Sequence, residues 1–371
     1  MSMRVLHVAP TAFGQGGSFG GGERYPLELA RALARLEGVD CELLTFGPRP
    51  HLLEDESRLV IRVLRPLMYL HGHPAHPVAP AMVAAVARAD VVHIHHLRST
   101  PGQIAAVAAR IRLPGMRRRA VVVTDHGLGG GDWFGFLSRL FDRFLTVSEH
   151  SATALHAPPA KTRVVWGGVD PTVFTPEPAS PRAGVLFVGR LTPHKGLDRL
   201  ITALPDGAAL TIAGTGGHDR ELPESGYVDD LHRIAAGRDV RFTGAVAETG
   251  LPDLYRSAAV VAMPSVAVTC YGKFHAVSEL LGLTAIEAMA CATPVVASRI
   301  GGLAEVVVDG ETGYLVEPGD VAALRKRLAE LVSDPGRARQ MGAAARQRAL
   351  ERFTWEACAL RCLAAYREIV S

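Results

Sequence analysis

Two α/β domains, each a parallel sheet with helices on both faces, are predicted by two features of the sequence. Short β-branched runs alternate with Ala/Leu/Arg-rich helical stretches, and this alternation breaks once at a proline-rich segment and then restarts. A length of 371 residues agrees, being long for one compact domain.

The first half opens on a strand at 4–9, a Gly-rich loop and a helix from about Glu23 to Leu36, where Leu27, Ala30, Leu33 and Ala34 form an apolar stripe at helical spacing. Strands follow near 40–46, 91–95, 120–124 and 144–147, with Ala-rich helices before the third and fourth of these. The stretch Phe174–Gly184 carries three prolines among small residues and reads as a linker. Beyond it, Val185–Val188 is a strand, Leu197–Leu204 a helix and Leu210–Ala213 a strand, followed by strands at Val240–Thr243, Val260–Met263, Pro294–Ala297 and Gly313–Val316. A helix from Thr354-Trp355 to Val370 ends the chain. The expected domains are 1–175 together with 354–371, and 176–353, with a cleft between them.

Composition narrows the function. A net charge of +3 gives no strong field for a polyanion, so no nucleic-acid partner is expected. Cys41, Cys270, Cys291, Cys358 and Cys362 form no Cys-x-x-Cys pair and read as free thiols of a reducing compartment. The opening residues read as a strand rather than a signal peptide, and no run of about 18 apolar residues occurs, so a cytoplasmic protein is expected. Contact with the inner face of a membrane stays open, and Arg110, Arg112 and Arg117–Arg119 read first as a solvated turn.

Four places carry candidate chemistry. The loop Gly14–Glu23 lies between a strand and a helix, where free N–H groups favour an anion, although its spacing is not a clean dinucleotide fingerprint. In Val188–Gly196 a strand ends and two cations, Arg190 and Lys195, follow five residues apart before a helix; they could grip a diphosphate or be solvated charges in a turn. Glu279 and Glu287, eight residues apart, flank a helix start at Gly282-Leu283-Thr284 whose N–H groups suit a phosphate; the alternative is two surface glutamates. His126 follows a strand in Val123–Gly127, where open α/β sheets bind ligands, although a structural histidine is the commoner case. His93 and His95 share one face of a strand, with His96 adjacent; neither they nor His71–His76 are assigned a metal.

In this order the motifs resemble family 4 retaining glycosyltransferases over nearly the whole chain. Gly21-Gly22-Glu23 looks like the family's N-terminal glycine motif, Val188–Gly196 its diphosphate-binding segment, and Glu279-x7-Glu287 its E-x7-E signature. The resemblance implies a GT-B architecture: two Rossmann-like domains facing a cleft, with the last helix crossing back to the N-terminal domain. It also implies transfer of a sugar from a nucleoside-diphosphate sugar, UDP- or GDP-type, to a hydroxyl acceptor that is a small metabolite, a polysaccharide or a lipid-linked glycan.

Residue by residue, the resemblance has Arg190 and Lys195 bind the diphosphate, Glu287 hold the ribose, and Glu279 lie beside the transferred sugar. Leu283 and Thr284, with Gly282, would contact phosphate and sugar, while Val240–Val246, with Gly244 and Val246, would receive the base. His126 would face the sugar, and Gly21 and Gly22 would close on the diphosphate. No Asp-x-Asp motif occurs, so neither metal nor cofactor is expected. Two departures stand out: Ser265–Ser278 is longer than the usual connection to the first glutamate, and Gly167-Gly-Val-Asp170 replaces Asn-Gly-Val-Asp. The rival readings are a sugar-nucleotide epimerase, which would convert the donor without an acceptor, and a non-catalytic sugar-nucleotide-binding protein. A dehydrogenase is disfavoured by the imperfect fingerprint.

Overall fold

The computed structural model describes residues 2–10, 21–73, 76–111, 118–126, 139–177, 181–216, 226–276 and 278–370. The chain forms two compact units, residues 1–167 with 355–371, and residues 168–354. Most of the Gly-rich loop Gly14–Glu23 lies outside the described residues.

The first unit contains β1 (Met3–Val8), α1 (Gly21–Ala34), β2 (Val39–Phe46), β3 (His51–Glu54), β4 (Val60–Leu64), β5 (Met68–Tyr69), β6 (Pro77–Val78), α2 (Met82–Arg88), β7 (Val91–His95), α3 (Thr100–Arg110), β8 (Ala120–Thr124), β9 (Arg143–Thr146), α4 (Glu149–Ala154) and β10 (Thr162–Val164). Its eight-stranded sheet runs β10-β9-β8-β7-β1-β2-β4-β3, parallel except for the edge strand β3, and β5 pairs with β6 separately. Alternation along the strands separates two kinds of side chain. Leu6, Val8, Val92, Ile94, Val121 and Val123 join an apolar core with Ala105 and Ala106 of α3. The alternate residues include His7, His93, His95 and Thr124, all fully buried.

The second unit contains β11 (Val185–Val188), α5 (Leu197–Ala203), β12 (Leu210–Ala213), α6 (Tyr227–Ala235), β13 (Val240–Gly244), α7 (Leu251–Ser257), β14 (Val260–Met263), α8 (Leu283–Ala290), β15 (Val295–Ser298), α9 (Leu303–Val306), β16 (Gly313–Val316), α10 (Val321–Ser333) and α11 (Pro335–Arg352). Its six strands are all parallel, in the order β13-β12-β11-β14-β15-β16. That order makes it a doubly wound, Rossmann-like sheet whose direction of winding reverses between β11 and β14. Leu197, Leu200 and Ile201 of α5 and Leu324, Leu328 and Leu331 of α10 recur at helical spacing and bury one face of each helix in a core with Val185, Phe187, Leu210 and Ile212. The proline-bearing stretch after Asp170 belongs to this unit: Phe174 is buried, and Arg256 of α7 donates to the Thr175 carbonyl at 2.6 Å.

The final helix α12 (Trp355–Val370) belongs to the first unit, as expected, and packs on α1. Its buried Trp355, Cys358, Ala359, Cys362, Leu363 and Tyr366 form one continuous stripe. Arg110 and Arg119 correct the solvated-turn reading, while Arg118 is exposed as that reading expects and pairs with Asp142. Arg119 is buried and donates to the carbonyls of Ala87 (2.9 Å) and Ile111 (3.2 Å), and Arg110 donates to Leu140 (2.6 Å) and pairs with Asp142 at 3.0 Å. These two guanidiniums satisfy backbone carbonyls at the C-terminal ends of α2 and α3 and at Leu140 instead of lying in solvent. Residues 112–117 lie outside the described residues. All five cysteines are free, and only Cys270 is exposed.

Candidate functional site

In the second unit the functional candidates gather at the C-terminal ends of β11 and β14, the switch point where doubly wound sheets bind ligands. After β11 the chain passes Gly189 and Arg190, makes a short 3₁₀ turn at Pro193–Lys195 and enters α5 through Gly196, whose φ is 69°. A Cβ on Gly196 would sit 2.1 Å from the carbonyl oxygen of Pro264, just beyond β14. Glycine is required for the two loops to approach this closely. Gly214 is constrained similarly: its φ is 146°, and a Cβ would lie 1.9 Å from the Gly189 carbonyl oxygen.

This approach brings Lys195 to Glu279. The Lys195 ammonium donates to Glu279 Oε1, and Ser265 Oγ donates to the same oxygen at 2.9 Å. Glu279 is only 7 % exposed, so a partnered carboxylate replaces the surface glutamate of the alternative reading. Its backbone is clamped as well. Gly302 N–H donates to the Glu279 carbonyl at 3.1 Å, and a Cβ on Gly301 (φ 56°) would lie 2.0 Å from that same oxygen. Arg190 is exposed, and among the described residues its side chain makes no hydrogen bond or ion pair.

Glu287 lies in the second turn of α8, is 4 % exposed, and accepts a 2.8 Å hydrogen bond at Oε2 from the Tyr255 hydroxyl of α7. The start of α8 is shaped by Gly282 (φ 102°), with no side-chain cap on the helix. Leu283 and Thr284 are half-buried there, and their N–H groups belong to the first turn, which lacks intrahelical acceptors. Gly244 (φ 71°) ends β13 and accepts from Gly214 N–H at 2.8 Å, with Val246 half-buried beyond it.

The long connection before Glu279 is a hairpin. Val268 bridges Phe274, His275 N–H donates to Ala267 at 2.7 Å, and Val266 N–H donates to the His194 carbonyl at 2.8 Å. The hairpin carries the His275 ring to 4.9 Å from His194. Burial pushes His194 down to about 3, helped by Lys195, His275, Arg190 and Lys273, so it is neutral at physiological pH inside an electropositive group.

The first unit carries its own constellation. His126 follows β8, and its Nε2 lies 3.1 Å from His95 Nδ1. The His96 ring meets it edge-on at 4.9 Å and is hydrogen-bonded to the Gly22 backbone. Gly21 and Gly22 open α1, and a Cβ on Gly22 would contact both His126 and His96 at 3.6 Å. Tyr25 stacks obliquely on His126 at 4.7 Å.

The structure therefore joins Lys195 with Glu279 directly, places Arg190 after β11 and Gly282, Leu283 and Thr284 at the start of α8 after β14, and sets Glu287 one turn further along α8 against Tyr255. Gly244 and Val246 lie at the end of β13, and Gly21, Gly22 and His126 cluster in the first unit. Sequence reasoning missed four partners: Ser265, Tyr255, Gly301 and Gly302. The Gly-Gly pair shortly after the strand ending at Ser298 is a local signal for Gly301 and Gly302, whereas Ser265 and Tyr255 reach the glutamates through tertiary contacts.

Comparison with known proteins identifies the family. The model for "Glycosyl transferases group 1" matches residues 174–348, and that for "Glycosyltransferase Family 4" matches residues 19–173. A D-inositol 3-phosphate glycosyltransferase of Kribbella flavida is 32 % identical over 99 % of this chain and 95 % of its own length. A GDP-mannose-dependent alpha-(1-6)-phosphatidylinositol monomannoside mannosyltransferase of Mycolicibacterium smegmatis is 35 % identical over 59 % of this chain and 58 % of its own. Among solved structures, an Anabaena protein in complex with UDP and glucose superposes with a TM-score of 0.75 at 20 % identity, covering 99 % of this chain and 100 % of that one. With both halves of the chain matched and a relative similar along almost its full length, the chain belongs to glycosyltransferase family 4 and is a glycosyltransferase of the GT-B fold.

Proposed function

We infer that the protein transfers a sugar, with retention at the anomeric carbon, from a UDP- or GDP-type nucleotide sugar to a hydroxyl acceptor. The observation that carries this reading is the Lys195–Glu279–Ser265 group at the switch point, with Arg190 exposed beside it. A departing nucleoside diphosphate gathers negative charge, and cations fixed beforehand lower the barrier to its departure. Arg190 offers paired donors to the phosphates. Lys195, held by Glu279 before the donor arrives, adds a point charge.

The first N–H groups of α8, at Gly282–Thr284, supply further donors to phosphate and sugar. Glu287, oriented by Tyr255, takes the ribose hydroxyls, and the loop at Gly244–Val246 takes the base. His126, with Gly21 and Gly22, is assigned to the sugar and the diphosphate. The leaving phosphate itself assists a same-face attack by the acceptor, and Glu279 positions the sugar. The charge of Arg190 and Lys195 makes a metal ion unnecessary.

Support for the donor class comes from a relative named for GDP-mannose and from a structural neighbour in complex with UDP. The relative named for inositol 3-phosphate makes hydroxyls of phosphorylated polyols the first acceptors to test, with lipid-linked glycans next.

The test is product analysis by NMR after EDTA treatment, with UDP- and GDP-sugars and these acceptors. An α-linked product from an α-configured donor, formed without added Mg²⁺, is expected. An inverted linkage, or restoration of turnover only by Mg²⁺, contradicts the reading. Epimerised donor formed without acceptor would establish the epimerase instead.

A further inference from the structure

The histidines of the first unit form a chain with a direction. His7 Nδ1 lies 2.9 Å from His95 Nε2, and His95 Nδ1 lies 3.1 Å from His126 Nε2. His95 thus uses both ring nitrogens, and its ring is held against His93 at 4.4 Å. His93 is fixed separately, by Tyr366 OH of α12 at 2.7 Å on Nδ1 and Thr124 Oγ1 at 2.8 Å on Nε2. At the inner end, His7 Nε2 is buried and has no hydrogen-bond partner among the described residues.

A neutral imidazole carries one N–H, so the chain has two arrangements. If His7 is protonated on Nδ1, it donates to His95 Nε2. His95 then donates from Nδ1 to His126 Nε2, and His126 carries its own proton on Nδ1. If the order runs backwards, His126 Nε2–H donates inward and the last proton sits on His7 Nε2, a buried donor with no acceptor. The first arrangement leaves only an unused lone pair at that position, and a buried N–H without an acceptor is the rarer defect.

We propose that His95, backed by His7, is a positioning residue that locks His126 in its Nδ1–H tautomer, so that His126 presents a hydrogen-bond donor to an oxygen of the donor sugar. The dead end at His7 distinguishes this from a proton wire, because among the described residues no group accepts from or donates to His7 Nε2 to replenish a proton passed outward. It also separates the cluster from a metal site. One ring nitrogen from each of His7, His93 and His95 lies within 4.8 Å of the others, yet all the ring nitrogens of the three but His7 Nε2 are engaged in hydrogen bonds an ion would have to break. Burial lowers the proton affinity of all these rings, which keeps the chain neutral. The inference rests on the proposed function only for what His126 points at.

The test is long-range 1H–15N NMR of protein labelled with 15N-histidine, without donor, with His126 assigned by loss of its signals in His126→Gln. The expected spectrum shows Nδ1–H at His126, His95 and His7, and Nε2–H at His126 would overturn the lock. In His95→Leu, His126 should lose its single tautomer and kcat should fall about tenfold with donor KM unchanged, the effect of losing a partner that orients a ring nitrogen. His95→Asn, whose amide can donate at the position of Nδ1, should recover most of both. An unchanged tautomer and kcat in His95→Leu would also overturn the proposal; if that variant does not fold, the wild-type spectrum decides alone. A protein with the expected tautomers that turns over no nucleotide sugar would refute the proposed function and leave the lock standing.

Discussion

Lys195 and Glu279 answer to each other, and this shapes what substitution at either should do. Removing Lys195 leaves a carboxylate that is nearly buried, with Ser265 as its remaining partner on Oε1. Lys195→Ala should therefore both weaken diphosphate binding and destabilise the second unit, by about 1–3 kcal/mol. Glu279→Gln keeps the shape and the Ser265 contact, so it should lower kcat with little loss of stability. Kinetics paired with thermal denaturation checks both, and equal stability losses in the two variants would contradict this ordering. The buried histidines of the first unit make a separate prediction. Burial pushes His7 down to about 3 and His96 down to about 4, against about 6.5 for histidine in an unfolded chain. Between these values the unfolded state binds more protons, so stability falls as pH drops below about 6.5 and is restored as pH rises. At pH 5.5 each such histidine costs about 1.4 kcal/mol. Melting temperature should thus decline from pH 7.5 to pH 5.5, and a flat profile would sink the assignment of neutral buried rings.

Within the second unit, glycines set how closely the loops after β11, β14 and β15 approach. Gly196→Ala places a methyl group 2.1 Å from the Pro264 oxygen on a left-handed backbone, and Gly301→Ala places one 2.0 Å from the Glu279 oxygen. Gly207 is also left-handed, with a φ of 74°, but open space surrounds its Cβ position. Gly207→Ala should cost only the backbone strain, about 1–2 kcal/mol, whereas the other two should cost more and impair turnover. Urea denaturation of the three variants separates the effects, and equal costs would show that the close approaches are not sustained. These contacts also show what the sequence reveals. The strands Val185–Val188 and Val260–Met263 were legible from β-branched runs, and the Leu283 helix start from its neighbours, because such signals are local. The pairing of Tyr255 with Glu287 and the placing of Arg119 against the last turn of α2 are tertiary, and no periodicity encodes them. For the histidines, the alternation in Val91–His95 showed that His93 and His95 share a face. That His7 joins them depends on the β1–β7 register, which places His7 opposite His93.

Across the whole molecule, the two units give the same family answer by different routes, since separate models match residues 19–173 and 174–348. No helix among the described residues is long and apolar enough to cross a membrane. Ligand linkage offers a global check. A donor present at about 100 times its Kd should stabilise the folded protein by about 2.7 kcal/mol, and in Glu287→Ala that gain should shrink. Thermal shift against a panel of nucleoside diphosphates and nucleotide sugars would read this and identify the base at the same time; an identical shift in Glu287→Ala would remove that residue from the ribose site.

The proposed seat of the donor's diphosphate is the switch point of the second unit, with Arg190 exposed after β11 and the Lys195–Glu279 pair following it. Its most direct test is calorimetric titration of UDP and GDP, in EDTA, into the wild-type protein and into Arg190→Ala. One nucleotide should bind the wild type without metal, and the variant should bind it at least about tenfold more weakly, a loss of about 1.4 kcal/mol. Equal affinity for the two proteins, or binding that appears only when Mg²⁺ is added, would contradict the account.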